Sequence, residues 1–292
     1  MIRRQSYGQW LFQLYGCRVQ KLNVNLGFSC PNRDGTLGRG GCTYCNNASF
    51  TPGFGMKSSS VTQQLQDGKR FYRGKYADMK YVAYFQSFTS TYSHLEKLRC
   101  LYEEALSVPD VVGIVISTRP DCVGDDVLDL LQHLNQHHRV IVEIGVESAH
   151  DRTLNLINRC HTWQCASEAI ERVAKRGLAV GVHLILGLPD ETISDMCHTV
   201  TAISRLPVDT VKFHHLQVLQ GTALARQWER GIVKLQDWSP QDYAELCRHL
   251  ISLLPENIVV ERLVSQAPQA LLLHPRWGLK PAQFKTIFDN LY

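Results

Sequence analysis

Six short runs rich in β-branched and aromatic residues, each followed by a longer amphipathic stretch, restrict this chain to few folds. The strand-like runs are Leu22–Leu26, Tyr81–Phe85, Val112–Ser117, Val140–Val146, Ala179–Leu186 and Val211–Val218. The helix-like stretches are Ser60–Tyr72, His94–Leu106, Asp125–Gln136, Trp163–Lys175, Ile193–Leu206 and Gln241–Leu253. Alternation of this kind implies parallel strands joined by right-handed crossovers. Six units are too few for a closed eight-stranded barrel, so the expected α/β fold is a partial (β/α)6 TIM-like barrel. Its active site belongs at the C-terminal ends of the strands. Asp125 and Ser239 read as helix N-caps, the latter with Pro240 in the first helical position. Gly177 reads as a helix stop. Residues 1–254 form the expected core, including a lead-in that carries Trp10, Tyr15 and Cys17. Residues 255–292 form a C-terminal extension with a β-like piece, Ile258–Val264, and a last helical stretch, Ala282–Leu291.

Hydrophobic residues make up 44% of the chain and charged residues 20%, as in a soluble globular protein. No apolar run approaches the ~20 residues of a membrane span. The start, Met1-Ile-Arg-Arg-Gln5, turns polar at once and has no signal-peptide core, which points to the cytoplasm. In that reducing setting the ten irregularly spaced Cys read as buried thiols or ligands, not disulfides. Cys17, Cys100, Cys165, Cys197 and Cys247 sit in helix-like surroundings and read as packing residues. Cys30, Cys42 and Cys45 differ, because they share one loop after the apolar segment Val19–Phe28. A closed zinc site takes four ligands, and ordinary iron–sulfur clusters also take four Cys. Three thiols with no fourth nearby suggest a cluster with one iron left open for a small molecule. The competing reading of the C-x2-C pair is a zinc knuckle.

Five motifs occur in a fixed order: Gly27-Phe-Ser-Cys-Pro-Asn-Arg-Asp-Gly35, Gly40-Gly-Cys-Thr-Tyr-Cys-Asn46, Ser117-Thr-Arg-Pro-Asp-Cys122, Glu143-Ile-Gly-Val-Glu-Ser148 and His183-Leu-Ile-Leu-Gly-Leu-Pro189. Together they resemble the radical S-adenosylmethionine (SAM) enzymes, and within them the YhcC-like group related to the catalytic subunit of Elongator. The resemblance implies a [4Fe–4S] cluster on Cys30, Cys42 and Cys45, with SAM on the fourth iron. It implies that Arg159 pairs with the SAM carboxylate, a match for a guanidinium fork. It sets Tyr44 against the adenine, Glu147 and His183 on the ribose, and Gln86 and Ser87 near the methionine amino group. Glu143 lies on the same side of its strand as Gly145 and Glu147 and would support them. An electron donor such as flavodoxin or ferredoxin is implied as a partner.

Cys122 stands at the expected barrel mouth, either as a redox or covalent partner of the substrate or as an inert thiol. His214 and His215 end the sixth run, where one ring should face inward as a substrate contact or proton donor. The relationship to Elongator implies a tRNA substrate, modified at the C5 side chain of the wobble uridine. Lys69, Arg70, Arg73, Lys75 and Lys80, interleaved with Phe71, Tyr72, Tyr76 and Tyr81, would suit RNA, although a solvated helix face has the same look. A protein or small-metabolite substrate is the second reading. A non-catalytic metal-binding adaptor is the third.

Overall fold

The computed structural model describes residues 4–47, 60–73 and 78–291. Its main sheet runs β1 (Val19–Val24), β2 (Lys80–Phe85), β3 (Val111–Thr118), β4 (Arg139–Glu147), β5 (Ala179–Leu186) and β6 (Thr210–His215). A two-residue β7 (Val218–Leu219) follows, then β8 (Val259–Arg262) and β9 (Leu272–His274). The sheet order is β1-β2-β3-β4-β5-β6-β8, with every pairing parallel. The sheet curls into the expected partial barrel but carries seven strands rather than six. The extra strand is β8, part of the segment expected to lie outside the barrel; Val259 pairs with Thr210 and so extends the sheet past residue 254.

The pleat sorts side chains into two layers. Ile114, Ile116, Val140, Val142, Ile144, Val211 and Phe213 face outward and bury against the crossover helices. Each such side chain contributes roughly 1.5–3 kcal/mol by leaving water. Val82, Tyr84, Val115 and Ile141 face inward, where they meet the N-terminal helix Tyr7–Tyr15 through Leu11 and its neighbours. The lead-in is therefore the floor of the half-barrel, not an appendage. Gly113 permits this approach: a Cβ there would lie 2.4 Å from the Arg139 carbonyl and 2.9 Å from the Tyr15 ring.

Helix ends largely follow the sequence. Ser239 caps Pro240–Ser252 and shares a capping box with Asp242, and Gly177 takes φ +70° after Lys175 ends its helix. Asp125 is not a cap: Gly124 holds that position and Asp125 begins the helix. The sixth run divides because the chain leaves the sheet after His215, and Val218–Leu219 pairs antiparallel with β9.

Inside the barrel lies a buried polar layer. Glu143 accepts from Lys212 at 2.6 Å, Lys21 at 2.9 Å, Ser117 at 2.8 Å and His183 at 3.0 Å. Lys21 also reaches Glu261 on β8 at 2.8 Å, and Lys212 reaches it at 3.2 Å. Burial alone would push the Glu143 carboxyl up, but Lys21 and Lys212 hold it well below the usual carboxylate range. Burial brings Lys212 down to about 8, against the pull of Glu143 and Glu261. Two cations and two carboxylates thus neutralise one another where single charges would not be tolerated.

Candidate active site

A cavity opens at the C-terminal ends of the strands, above this polar layer. Cys30, Cys42, Cys45 and Tyr44 line it from the loop after β1, and Gln86 from the end of β2. Glu147, Arg159, His183, His214 and His215 line it from the later units. Ten of the residues singled out in the sequence thus share one cavity.

Three do not. Ser87 is buried behind the lining, since the chain turns away from the cavity after Gln86 and Phe88 takes φ +60°. Glu143 lies beneath the cavity and touches two of its lining residues, His183 and Ser117. Cys122 also stands behind the lining, and burial together with Asp121 pushes its thiol up to about 12. A thiol raised in this way is a poor nucleophile, which favours the inert reading of Cys122 over the substrate partner. The His pair keeps strand alternation: the His214 ring lies against His183 at 5.2 Å between centroids, the His215 ring packs against Tyr243 and Trp277, and both residues border the cavity where β6 ends.

The cysteine loop is tied to the turn that carries Arg159. Asn158 takes φ +53° and Cys160 φ +57°, so Arg159 sits between two left-handed residues. The Asn158 amide donates to the Gly41 carbonyl at 2.8 Å, and the Thr43 N–H donates to Ile157 at 2.9 Å. Arg159 then lies along the cavity wall, donating to the Gly145 carbonyl at 2.7 Å and approaching Glu147 at 3.3 Å. A Cβ on Gly145 would come within 2.5 Å of the guanidinium, so this glycine makes room for it. Glu147 itself takes φ +67° at a bulge in β4, the kind of local strain that gathers at functional sites.

Several lining residues carried no individual signal in the sequence. Arg119 is 2% exposed, grips Asp121 through two nitrogens, and donates to the Arg159 carbonyl at 2.8 Å. Thr89 donates to Cys30 Sγ at 3.0 Å, and Asn32 to Cys42 Sγ at 3.3 Å. Arg119 and Asn32 lie inside motifs already noticed, whereas Thr89 reaches the site only through the fold. The donor set fits an anionic iron–sulfur centre: three thiols face one cavity, and hydroxyl, amide and guanidinium N–H groups point at their sulfurs. Arg119 Nη1 and Arg159 Nε are buried without partners, as positive groups beside such an anion would be. Among the described residues no three His, Cys, Asp or Glu side chains are grouped around a single-ion position.

Hydrogen bonds to thiolate ligands favour the more negative, reduced state of a cluster. Thr89→Val is therefore expected to make the midpoint potential of the reconstituted protein more negative while iron content stays the same. Redox titration followed by electron paramagnetic resonance would measure the shift, and an unchanged midpoint would deny Thr89 this role.

Three histidines around the site are held neutral. Burial, with Arg159 nearby, brings His161 down to about 3; burial, with His274, does the same for His215. His214 is lowered well below its ordinary value by burial and by His183. Between about 6.5 and 3 the unfolded chain takes up protons at these positions and the folded one does not, so stability falls as pH falls through that window. Each ring contributes at most about 1.4 kcal/mol per pH unit. Denaturant melts should show this slope, and His161→Phe should flatten it.

Three of the five basic residues expected to meet RNA are paired within the chain. Lys69 and Lys80 both bind Asp110, at 3.2 and 2.7 Å, and Arg70 binds Asp67 at 2.5 Å. Lys75 and Tyr76 lie outside the described residues. None of the described helices is long and apolar enough to cross a membrane.

A half-barrel of parallel strands, with three loop cysteines and a buried arginine facing one cavity, defines a class, and comparison with known proteins agrees. The radical SAM superfamily model matches residues 25–203, and the radical SAM C-terminal domain model matches residues 208–292. The chain belongs to the radical SAM superfamily, whose members are enzymes that use a [4Fe–4S] cluster and SAM. It is 40% identical to Bacillus subtilis protein YtqA over 95% of this chain and 85% of that one. It is 39% identical to Escherichia coli protein YhcC over 93% of this chain and 86% of that one. A Methanocaldococcus infernus protein named tRNA uridine(34) acetyltransferase is 25% identical over 56% of this chain and 30% of its own. An N-terminally truncated Elongator protein from the same archaeon shares the fold, with a TM-score of 0.69 at 18% identity; the match covers 93% of this chain and 62% of that structure.

Proposed function

We propose that this radical SAM enzyme acts on tRNA and modifies the C5 side chain of a wobble uridine. The observation that carries its radical chemistry is the single cavity shared by three loop thiols, Arg159 and the polar ends of β5 and β6. Cys30, Cys42 and Cys45 would hold the cluster, and Arg159, Glu147, His183, Gln86 and Tyr44 would hold SAM. A reduced cluster bound there would supply the one electron needed for reductive cleavage of SAM.

The chain's own side chains do the rest. Arg159 draws the SAM carboxylate to one end of the cavity, and its fixed fork sets the orientation. His183 donates through Nε2 to the Glu143 carboxylate, which leaves Nδ1 as an acceptor for a ribose hydroxyl. Ile185, Leu216 and Leu219 give the cavity an apolar wall. Such a wall keeps water away from a reactive species held close to one C–H bond. In the cytoplasm, a small electron-transfer protein such as flavodoxin or ferredoxin would deliver the electron.

Support for tRNA comes from relatives, one of which is named for uridine 34 of tRNA. The test compares modified-nucleoside profiles of total tRNA from cells with and without the gene. A changed wobble-uridine derivative is expected. An unchanged profile would remove tRNA and leave a protein or small metabolite as substrate.

A further inference from the structure

One wall of the cavity, formed by the end of β6 and the segments after it, is used neither by the cysteine loop nor by Arg159. It presents His214, His215, Gln217 and Ser265. The Ser265 backbone N–H donates to His215 Nδ1 at 3.1 Å. A backbone amide nitrogen can only donate, so Nδ1 carries the lone pair. The ring is buried, stacked on Trp277 at 4.5 Å between centroids, and held neutral by its surroundings. A neutral imidazole with its lone pair on Nδ1 carries its proton on Nε2. That Nε2 lies 3.2 Å from the atom placed as the Gln217 amide nitrogen, Nε2, and two N–H donors cannot bond each other. An N–H needs an acceptor, so the network turns the amide oxygen of Gln217 toward His215. With the oxygen turned to His215, the NH2 is the end of Gln217 left for a ligand in the cavity that this residue lines.

We propose that His215 and Gln217 form a base-reading pair, in which His215 locks the Gln217 amide so that only N–H donors meet the substrate. This rests on the reading that the substrate is a tRNA uridine. A donor-only group matches the C4 carbonyl of uracil and opposes the C4 amino group of cytosine, which also donates. His215 is then a positioning residue rather than a proton donor, and Gln217 determines specificity. Gln217 had no motif to mark it; the signal is the closed donor–acceptor count that runs from Ser265 through His215.

The experiment uses the anaerobically reconstituted holoenzyme and two anticodon stem–loop RNAs that differ only in U or C at the wobble position. Fluorescence anisotropy gives the ratio of their dissociation constants. The wild type should prefer U by about tenfold, the scale of one hydrogen bond against a donor–donor clash. Gln217→Glu keeps an acceptor for His215 Nε2–H but removes the donors, so the preference should vanish or reverse. His215→Phe keeps the stack on Trp277 and frees the amide to rotate, so the ratio should fall toward one. Melting curves and cluster absorbance matching the wild type would show that both variants are folded and loaded. A preference unchanged in both folded variants would overturn the reading pair, as would equal binding of U and C by the wild type. If the wild type binds neither RNA, the tRNA reading itself fails and the uracil assignment goes with it.

Discussion

Cys42→Ala is expected to leave the protein folded but colourless, with iron content near zero and no release of 5′-deoxyadenosine from SAM under reduction. Cys42 is the most enclosed of the three loop thiols, and Asn32 and Arg159 both donate to its sulfur. Losing it removes one corner of the cluster's support and strands a buried guanidinium. Cys30→Ala and Cys45→Ala should behave alike. Cys122→Ala is the informative contrast: this half-buried thiol is pushed up by burial and Asp121 and lies outside the cavity lining, so cluster loading and SAM cleavage should stay near wild type. Iron analysis, visible absorbance and chromatography of the nucleoside product would measure all four. A brown, iron-replete Cys42→Ala protein would refute the ligand assignment.

The second large effect concerns stability. Glu143→Leu removes the carboxylate that Lys21, Lys212, Ser117 and His183 share, leaving Glu261 alone against two enclosed ammonium groups. Breaking a buried pair from one side costs about 3–5 kcal/mol, because the remaining charge has no solvent to return to. For a domain of typical stability that is a large fraction of the total. Urea denaturation should show the midpoint falling by that equivalent, and a loss under about 1 kcal/mol would mean that water or rearrangement screens the lysines. Glu143→Leu also frees His183 Nε2, so SAM affinity should weaken even at temperatures where the variant is folded.

How much of this could be read in the residues varied with the range of the interaction. Strand positions came from local apolar runs, and all six expected strands have counterparts in the sheet. The first is displaced: Leu22–Leu26 was expected, but β1 is Val19–Val24, because pairing with Lys80–Phe85 decides the register. Ser239 and Gly177 were legible because caps are local chemistry. The role of Tyr7–Tyr15 as the barrel floor was not, since its apolar side is explained only by Val82, Val115 and Ile141, far along the chain. β8 was seen as β-like but set outside the sheet, because four residues give no hint of the neighbour they will pair with. The cofactor side of the cavity was legible because its ligands cluster in short motifs. The wall of Gln217 and Ser265 was not, because its meaning lies in which atom donates to which.

The bridge between Lys21 and Glu261 bears on biosynthesis. These residues stand on opposite edge strands and are 240 positions apart in the chain. A nascent polypeptide that had made β6 but not β8 would hold two ammonium groups, Lys21 and Lys212, against the single carboxylate of Glu143. Early collapse should therefore stay loose and reversible, and shortening the gene before codon 261 should yield aggregates or proteolysis rather than a smaller working enzyme.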